Sequence, residues 1–151
     1  MKKLRLILFS ILVLISYSMT HSSEKNFAKG IARAIDGDTI EINKEKIRFG
    51  GINSPERNEV GYKLAKDKLT EKIKNTTLVC MREKNKDRYS RTVAECFVNG
   101  ESLSKFLVSK GYAFAYRKYS KKFIKDERFA KKNRLGLWSM KFIFPWEFRK
   151  L

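Results

Sequence analysis

Residues 36–56 read DGDTIEINKEKIRFGGINSPE, and this stretch decides the fold. Asp36-Gly37 is a turn signal. Thr39 to Ile42 then resumes extended structure, and Lys46 to Ile52 continues it until Gly50-Gly51 and Ser54-Pro55 close the run. Immediately upstream, Ile31 to Ile35 is a further candidate strand. Short extended runs separated by tight turns predict a meander of strands.

Downstream the period changes. Val60, Leu64, Ala65, Leu69 and Ile73 fall at helical spacing, which predicts an amphipathic helix over about 60–73. Leu78 to Arg82 and Thr92 to Val98 read as two more strands, joined by the charged turn Glu83 to Arg88 and followed by Asn99-Gly100. Ser102 is a good N-cap for a helix through Lys110, which Gly111 stops. Tyr112 to Tyr116 is extended or irregular, and a last helix is expected over about 122–135, with Gly136 beyond it. The aromatic tail, Leu137-Trp138 and Phe142 to Phe148, is expected to pack back on the body. Five short strands with about three helices suit a small five-stranded OB-like barrel with helical additions.

The composition narrows the chemistry. Lys and Arg total 34 against 16 Asp and Glu, a net charge of +18. Residues 1–23 hold Lys2, Lys3 and Arg5 and no acid, so the remainder still carries +15. A pI near 10.0 favours a polyanionic partner, nucleic acid or an anionic membrane surface. Lys2, Lys3 and Arg5, then the apolar run Leu6 to Ile15, then Ser16, Ser18 and Thr20, have the layout of a secretory signal. Residues 1–23 are therefore expected to be a signal peptide, an uncleaved anchor being the alternative, and residues 24–151 the folded domain. Export to the periplasm or the medium follows as an expectation.

Cys80 and Cys96 are the only cysteines. In an exported chain a disulfide is the leading reading. If the strands flanking Arg88 form a hairpin, the two cysteines come opposite each other; two separate buried thiols are the alternative. The only histidine, His21, lies in the expected leader. This excludes an ordinary zinc site and histidine acid–base or Ser-His chemistry from the domain. Hydrolysis here has to use carboxylates, arginines and a hard metal ion.

Three clusters could carry that chemistry: Asp36-Gly37-Asp38-Thr39, then Arg48 followed by Asn53-Ser54-Pro55-Glu56, then Asp87-Arg88-Tyr89-Ser90-Arg91. With Lys110-Gly111-Tyr112-Ala113 and Gly136-Leu137-Trp138 they stand in an order that resembles the thermonuclease (staphylococcal nuclease-like) family over roughly residues 28–148. The cysteine pair and the ending Pro145-Trp146-Glu147-Phe148-Arg149 resemble an exported bacterial subgroup. The resemblance implies an OB-like barrel and calcium-dependent cleavage of DNA and RNA to 5′-hydroxyl and 3′-phosphate ends. It implies Arg48 and Arg91 as phosphate grips and Glu56 as general base. Asp38, Asn53 and the Ser54 carbonyl match calcium ligands. Arg88, Tyr89, Tyr116 and Tyr119 match substrate contacts.

That division of labour is physically sound. Phosphodiester hydrolysis builds negative charge on the phosphoryl oxygens. Two guanidinium groups can each present a planar pair of N–H donors to it, and a carboxylate can take the proton of the attacking water. Two positions depart from the family pattern. Asn53 is neutral where many relatives carry a carboxylate, which is expected to weaken calcium binding. Ser90 replaces a usual glycine, at a cost if the backbone there needs positive φ. Scattered lysines interleaved with Tyr112, Phe114, Tyr116 and Tyr119 suit single strands, bound by charge and stacking. Nothing indicates oligomerisation, so a monomer is expected. The competing readings are a barrel that binds nucleic acid without catalysis and a basic envelope protein. Retention of Arg48, Glu56 and Arg91 together argues against the first.

Overall fold

The computed structural model describes residues 26–151. The expected leader, residues 1–23, lies outside the described residues. Among those described, no helix is long and apolar enough to cross a membrane.

Strands β1 (Phe27–Ala34), β2 (Thr39–Ile42) and β3 (Glu45–Phe49) form the expected antiparallel meander. β1 begins four residues earlier than Ile31. Its inward face is small (Ala28, Gly30, Ala32, Ala34), so apolar patterning does not mark its start, and Ile31 itself points outward at 59% exposed. Asn43 and Lys44 both take positive φ (50° and 69°) in the two-residue turn between β2 and β3. That turn matches the right-handed twist of the strands.

The run expected as Lys46 to Ile52 breaks at Gly50-Gly51 into β3 and a short β4 (Ile52–Asn53). The hairpin of β5 (Thr77–Arg82) and β6 (Thr92–Val98) follows helix α1 (Tyr62–Ile73). β5 pairs with β1, and β6 pairs in parallel with β3 through Ile47↔Thr92 and Phe49↔Ala94. The order β3-β2-β1-β5-β6 thereby closes on itself, giving the five-stranded barrel. Short β7 (Glu101–Ser102) turns back and pairs antiparallel with the end of β6, and β8 (Phe114–Ala115) pairs with β4.

Alternation along the strands fills the barrel. Ile40 and Ile42, Ile47 and Phe49, Leu78 and Cys80, and Ala94, Cys96 and Val98 all point inward. Cys80 and Cys96 are register partners and form a disulfide, as the leading reading expected. With a sequence separation of 16, the bridge is worth roughly 3 kcal/mol.

Helix α1 buries Ala65, Leu69 and Ile73 against the barrel. Gly37 is needed where α1 meets the first turn: a Cβ there would sit 2.7 Å from both Ala65 Cβ and Ser54 Cβ. Helix α2 (Leu103–Ser109) is capped by the Ser102 hydroxyl, which accepts the Lys105 N–H at 3.2 Å. Gly111 ends that turn at φ 73°, with no room for a Cβ beside the Leu135 carbonyl.

The last long helix, α3, is shorter than expected (Ile124–Lys132), because Arg134 turns left-handed at φ 52°. A 3₁₀ turn (Gly136–Ser139) and a fourth helix, α4 (Pro145–Phe148), complete the chain. The tail packs back as expected. Fully buried Phe114 touches the rings of Trp138, Phe142, Phe144 and Trp146 at 4.9–6.1 Å between centroids.

Candidate active site

Ile47 and Phe49 point into the barrel, so the pleat of β3 turns Arg48 outward between them. Its cross-strand partner is Thr39, which brings Asp38 beside the guanidinium. Arg48 Nη1 pairs with Asp38 Oδ1, while Nη2 donates to Asn53 Oδ1 at 2.9 Å and to the Ile52 carbonyl at 3.1 Å. Asp38 also accepts the Thr39 hydroxyl at 3.2 Å and the Ser54 N–H at 2.8 Å. Only 5% of Asp38 is exposed. Burial pushes this carboxyl up, but the Arg48 charge and hydrogen bond, with Ser54 and Thr39, outweigh it and hold the group below its ordinary value.

Two residues earlier, Asp36 Oδ1 accepts the Asp38 N–H at 3.0 Å. Burial first, and the Asp38 charge second, push the Asp36 carboxyl up to about 6. The cleft wall thus carries two carboxylates that oppose each other's ionisation.

The opposing loop, between β5 and β6, is organised by Asp87. Its Oδ1 accepts the N–H groups of Tyr89 and Arg91, both at 2.9 Å, and its Oδ2 accepts Arg91 Nε at 2.6 Å. Burial works against the Asp87 charge, but these bonds prevail and lower the carboxyl below its ordinary value. Ser90 takes φ 60°, so this position does require left-handed backbone. Tyr89 is 63% exposed, with the Arg88 and Arg91 guanidinium carbons 4.7 and 5.4 Å from its ring centre.

Glu56 follows Pro55 and stays half exposed, its Oε1 accepting from Arg149 Nη1 of the C-terminal segment. Tyr116 and Tyr119 meet edge to face at 4.9 Å, and Tyr116 stacks on Trp146.

One cleft of about 890 Å³ collects Asp38, Arg48, Ser54, Glu56, Arg88, Tyr89, Arg91, Tyr116 and Tyr119, together with Asp36, Asp87 and Arg149. Of the side chains selected from sequence, Asn53 alone does not line it. Asn53 lies beneath, 1% exposed, its oxygen on Arg48 and its amide nitrogen without a partner. The disulfide sits inside the barrel, away from the cleft.

Sequence patterns assign no role to Asp36, Asp87 or Arg149. The first two carry a local signal, since each lies two to four residues from a selected group. Arg149 carries none, being 93 residues from its partner Glu56.

Among the described residues, no group of three or more His, Cys, Asp and Glu side chains is arranged around a metal position. The Asp36–Asp38 pair nevertheless offers the hard oxygen donors that divalent cations take, and a cation would offset both the burial and the Asp38 charge that raise Asp36. The donor chemistry therefore fits calcium.

The staphylococcal nuclease homologue family matches residues 46–140. An uncharacterized endonuclease of Haemophilus influenzae is 29% identical over 144 residues, covering 89% of this chain and 79% of its own length. A staphylococcal-like nuclease of Arabidopsis thaliana is 32% identical over 120 residues, covering 78% of this chain and 37% of its own. The endonuclease YncB of Bacillus subtilis is 29% identical over 125 residues, covering 71% of this chain and 59% of its own. The chain therefore spans less than two thirds of the latter two relatives. The family match runs from β3 through the 3₁₀ turn, over more than half of the chain, and takes in Arg48, Glu56 and Arg91: the chain belongs to the staphylococcal nuclease homologue family.

Proposed function

We propose that this protein is an exported endonuclease that cleaves DNA and RNA, single strands preferentially, with calcium and as a monomer. The observation that carries this reading is the convergence of Arg48, Arg91, Glu56 and the Asp36–Asp38 pair on one cleft. The endonuclease names of the Haemophilus and Bacillus relatives support it, and a net charge of +18 suits a polyanionic substrate.

Arg91 engages Asp87 through Nε, so its terminal nitrogens can meet a phosphate as a fork. Arg48 spends both Nη2 hydrogens and one Nη1 hydrogen on the protein, so it meets a phosphate through a single remaining N–H and its charge, not as a fork. Neither guanidinium loses its proton near neutral pH, so both act by stabilising developing charge. Glu56 accepts the proton of the attacking water, and the products carry 5′-hydroxyl and 3′-phosphate ends. Asp38, with Asp36, the Ser54 carbonyl and the Asn53 side chain close by, would hold calcium, which when bound supplies charge neutralisation at a phosphoryl oxygen. The neutral Asn53 weakens that site, so Asn53→Asp is expected to lower the calcium midpoint of activity. Residues 1–23 act as the export signal.

Digestion of heat-denatured DNA with calcium, with chelator, and by Glu56→Gln tests the reading. Calcium-dependent cleavage that drops by roughly 10²–10⁴-fold in Glu56→Gln is expected. Tight binding with no cleavage under any of these conditions would instead make the protein a barrel that only binds nucleic acid.

A further inference from the structure

A second cavity, of about 600 Å³, adjoins the active-site cleft and shares Arg88, Tyr116 and Arg149 with it. Beyond these it is walled by Arg117, Lys118, Trp146 and Lys150. The two cavities differ in charge. The cleft carries Asp36, Asp38, Glu56 and Asp87, whereas no acidic residue lines the second cavity. An anion entering it meets cations without a competing carboxylate in its wall.

The side chains there are prepared to different degrees. Arg117 is held by the buried Glu127 carboxylate, which fixes its position and offsets its charge. Lys118 and Lys150 are exposed. Trp146 is engaged with neighbouring rings. Its ring lies nearly parallel to those of Tyr116 (5.8 Å between centroids, 6° between planes) and Phe144 (4.5 Å, 12°), which tie it into an aromatic stack. The stack forms a rigid wall, and recognition falls to the cations. Lysine ammonium groups that carry no base-reading geometry meet the nucleic-acid backbone, not its bases.

We propose that this cavity is a second subsite, which binds the backbone phosphate of a nucleotide flanking the scissile one through Lys118 and Lys150. The inference rests on the nuclease reading for the identity of the polyanion. Substrate extending past the cleft crosses the junction at Arg88 and Arg149 and gains affinity there, while a two-nucleotide substrate ends before it.

Equilibrium binding of labelled oligothymidylate to the full chain, in chelator and over a range of salt, tests this without relying on cleavage. With a ligand of about eight nucleotides, Lys118→Gln/Lys150→Gln is expected to lower the slope of log K against log salt by about 0.7, the value for one phosphate contact on single strands. Its affinity at low salt falls several-fold. The charge-retaining Lys118→Arg/Lys150→Arg keeps the wild-type slope. Lys46→Gln/Lys74→Gln, which removes the same charge from residues lining neither cavity, also keeps it. A two-nucleotide ligand loses nothing in any of these variants. Equal slope losses in the two glutamine pairs, an equal loss on the two-nucleotide ligand, or no binding by the wild type would overturn the subsite. A wild type that shows the expected slopes but cleaves nothing with calcium would keep the subsite and sink the nuclease reading.

Discussion

Arg48 sits in the middle of a barrel strand, while Arg91 ends a loop at the rim, and the two guanidinium groups are held in different ways. Arg48 is 14% exposed and bonded to Asp38, Asn53 and the Ile52 carbonyl. Arg91 is 28% exposed and bonded through Nε to Asp87. The first guanidinium is fixed by the same hydrogen bonds that hold the barrel wall together. The second keeps its fork open and depends on one carboxylate and a strained turn for its aim. One site therefore contains a rigid electrostatic wall and an adjustable clamp. Stability and activity should separate between them.

The largest expected effect breaks the wall. Arg48→Met leaves Asp38 buried without its partner and should cost about 3–5 kcal/mol in urea unfolding. Arg91→Met leaves Asp87 with two backbone N–H bonds in partial solvent and should cost about 1 kcal/mol or less. Both should lose activity. Equal losses of stability would erase the distinction.

The wall also predicts a pH dependence in chelator. Asp36 has a folded pKa of about 6 against an ordinary 3.8, so the folded state holds this proton more tightly than the unfolded state. Its contribution is fully present below about pH 4 and is lost as pH rises through about 6. The loss is roughly 3 kcal/mol, at about 1.4 kcal/mol per pH unit. Asp36→Asn should flatten the stability profile over that window. An unchanged profile would remove Asp36 from the pair.

The tail sharpens the clamp side. Arg149→Ala frees the half-exposed Glu56 carboxylate and should lower kcat about tenfold, the scale of one charge-assisted hydrogen bond. Melting should barely change, because the pair is solvated. A fall in melting temperature as large as that of Arg48→Met would recast Arg149 as part of the wall. The smallest effect lies in the clamp's own turn. Ser90→Gly relieves a left-handed serine and should raise stability by about 0.5–1 kcal/mol. No change on thermal unfolding would mean that the turn stores no strain.

Much of this site is legible in the sequence. The Asp36-Gly37 turn, the alternation around Arg48 and the Asp87 to Arg91 loop are local features, and local chemistry is what sequence patterns report. Asp38, Arg48, Glu56 and Arg91 all stand within such features or beside them. The barrel is legible too, apart from the start of β1, whose inward residues are too small to mark a period, and the β4–β8 pair, only two residues long in each strand.

By itself, then, the sequence determined the succession of strands and helices along the chain, the positions that set the two cysteines opposite each other if their strands pair, and the exclusion of histidine chemistry. These follow from spacing, turn residues and composition. Only the tertiary structure decided that Asn53 faces Arg48 from beneath the cleft, that Asp36 and Asp38 contend for charge, and that Arg149 returns to Glu56. Burial and proximity across distant segments set those relations, and neither is written in the spacing of neighbouring residues.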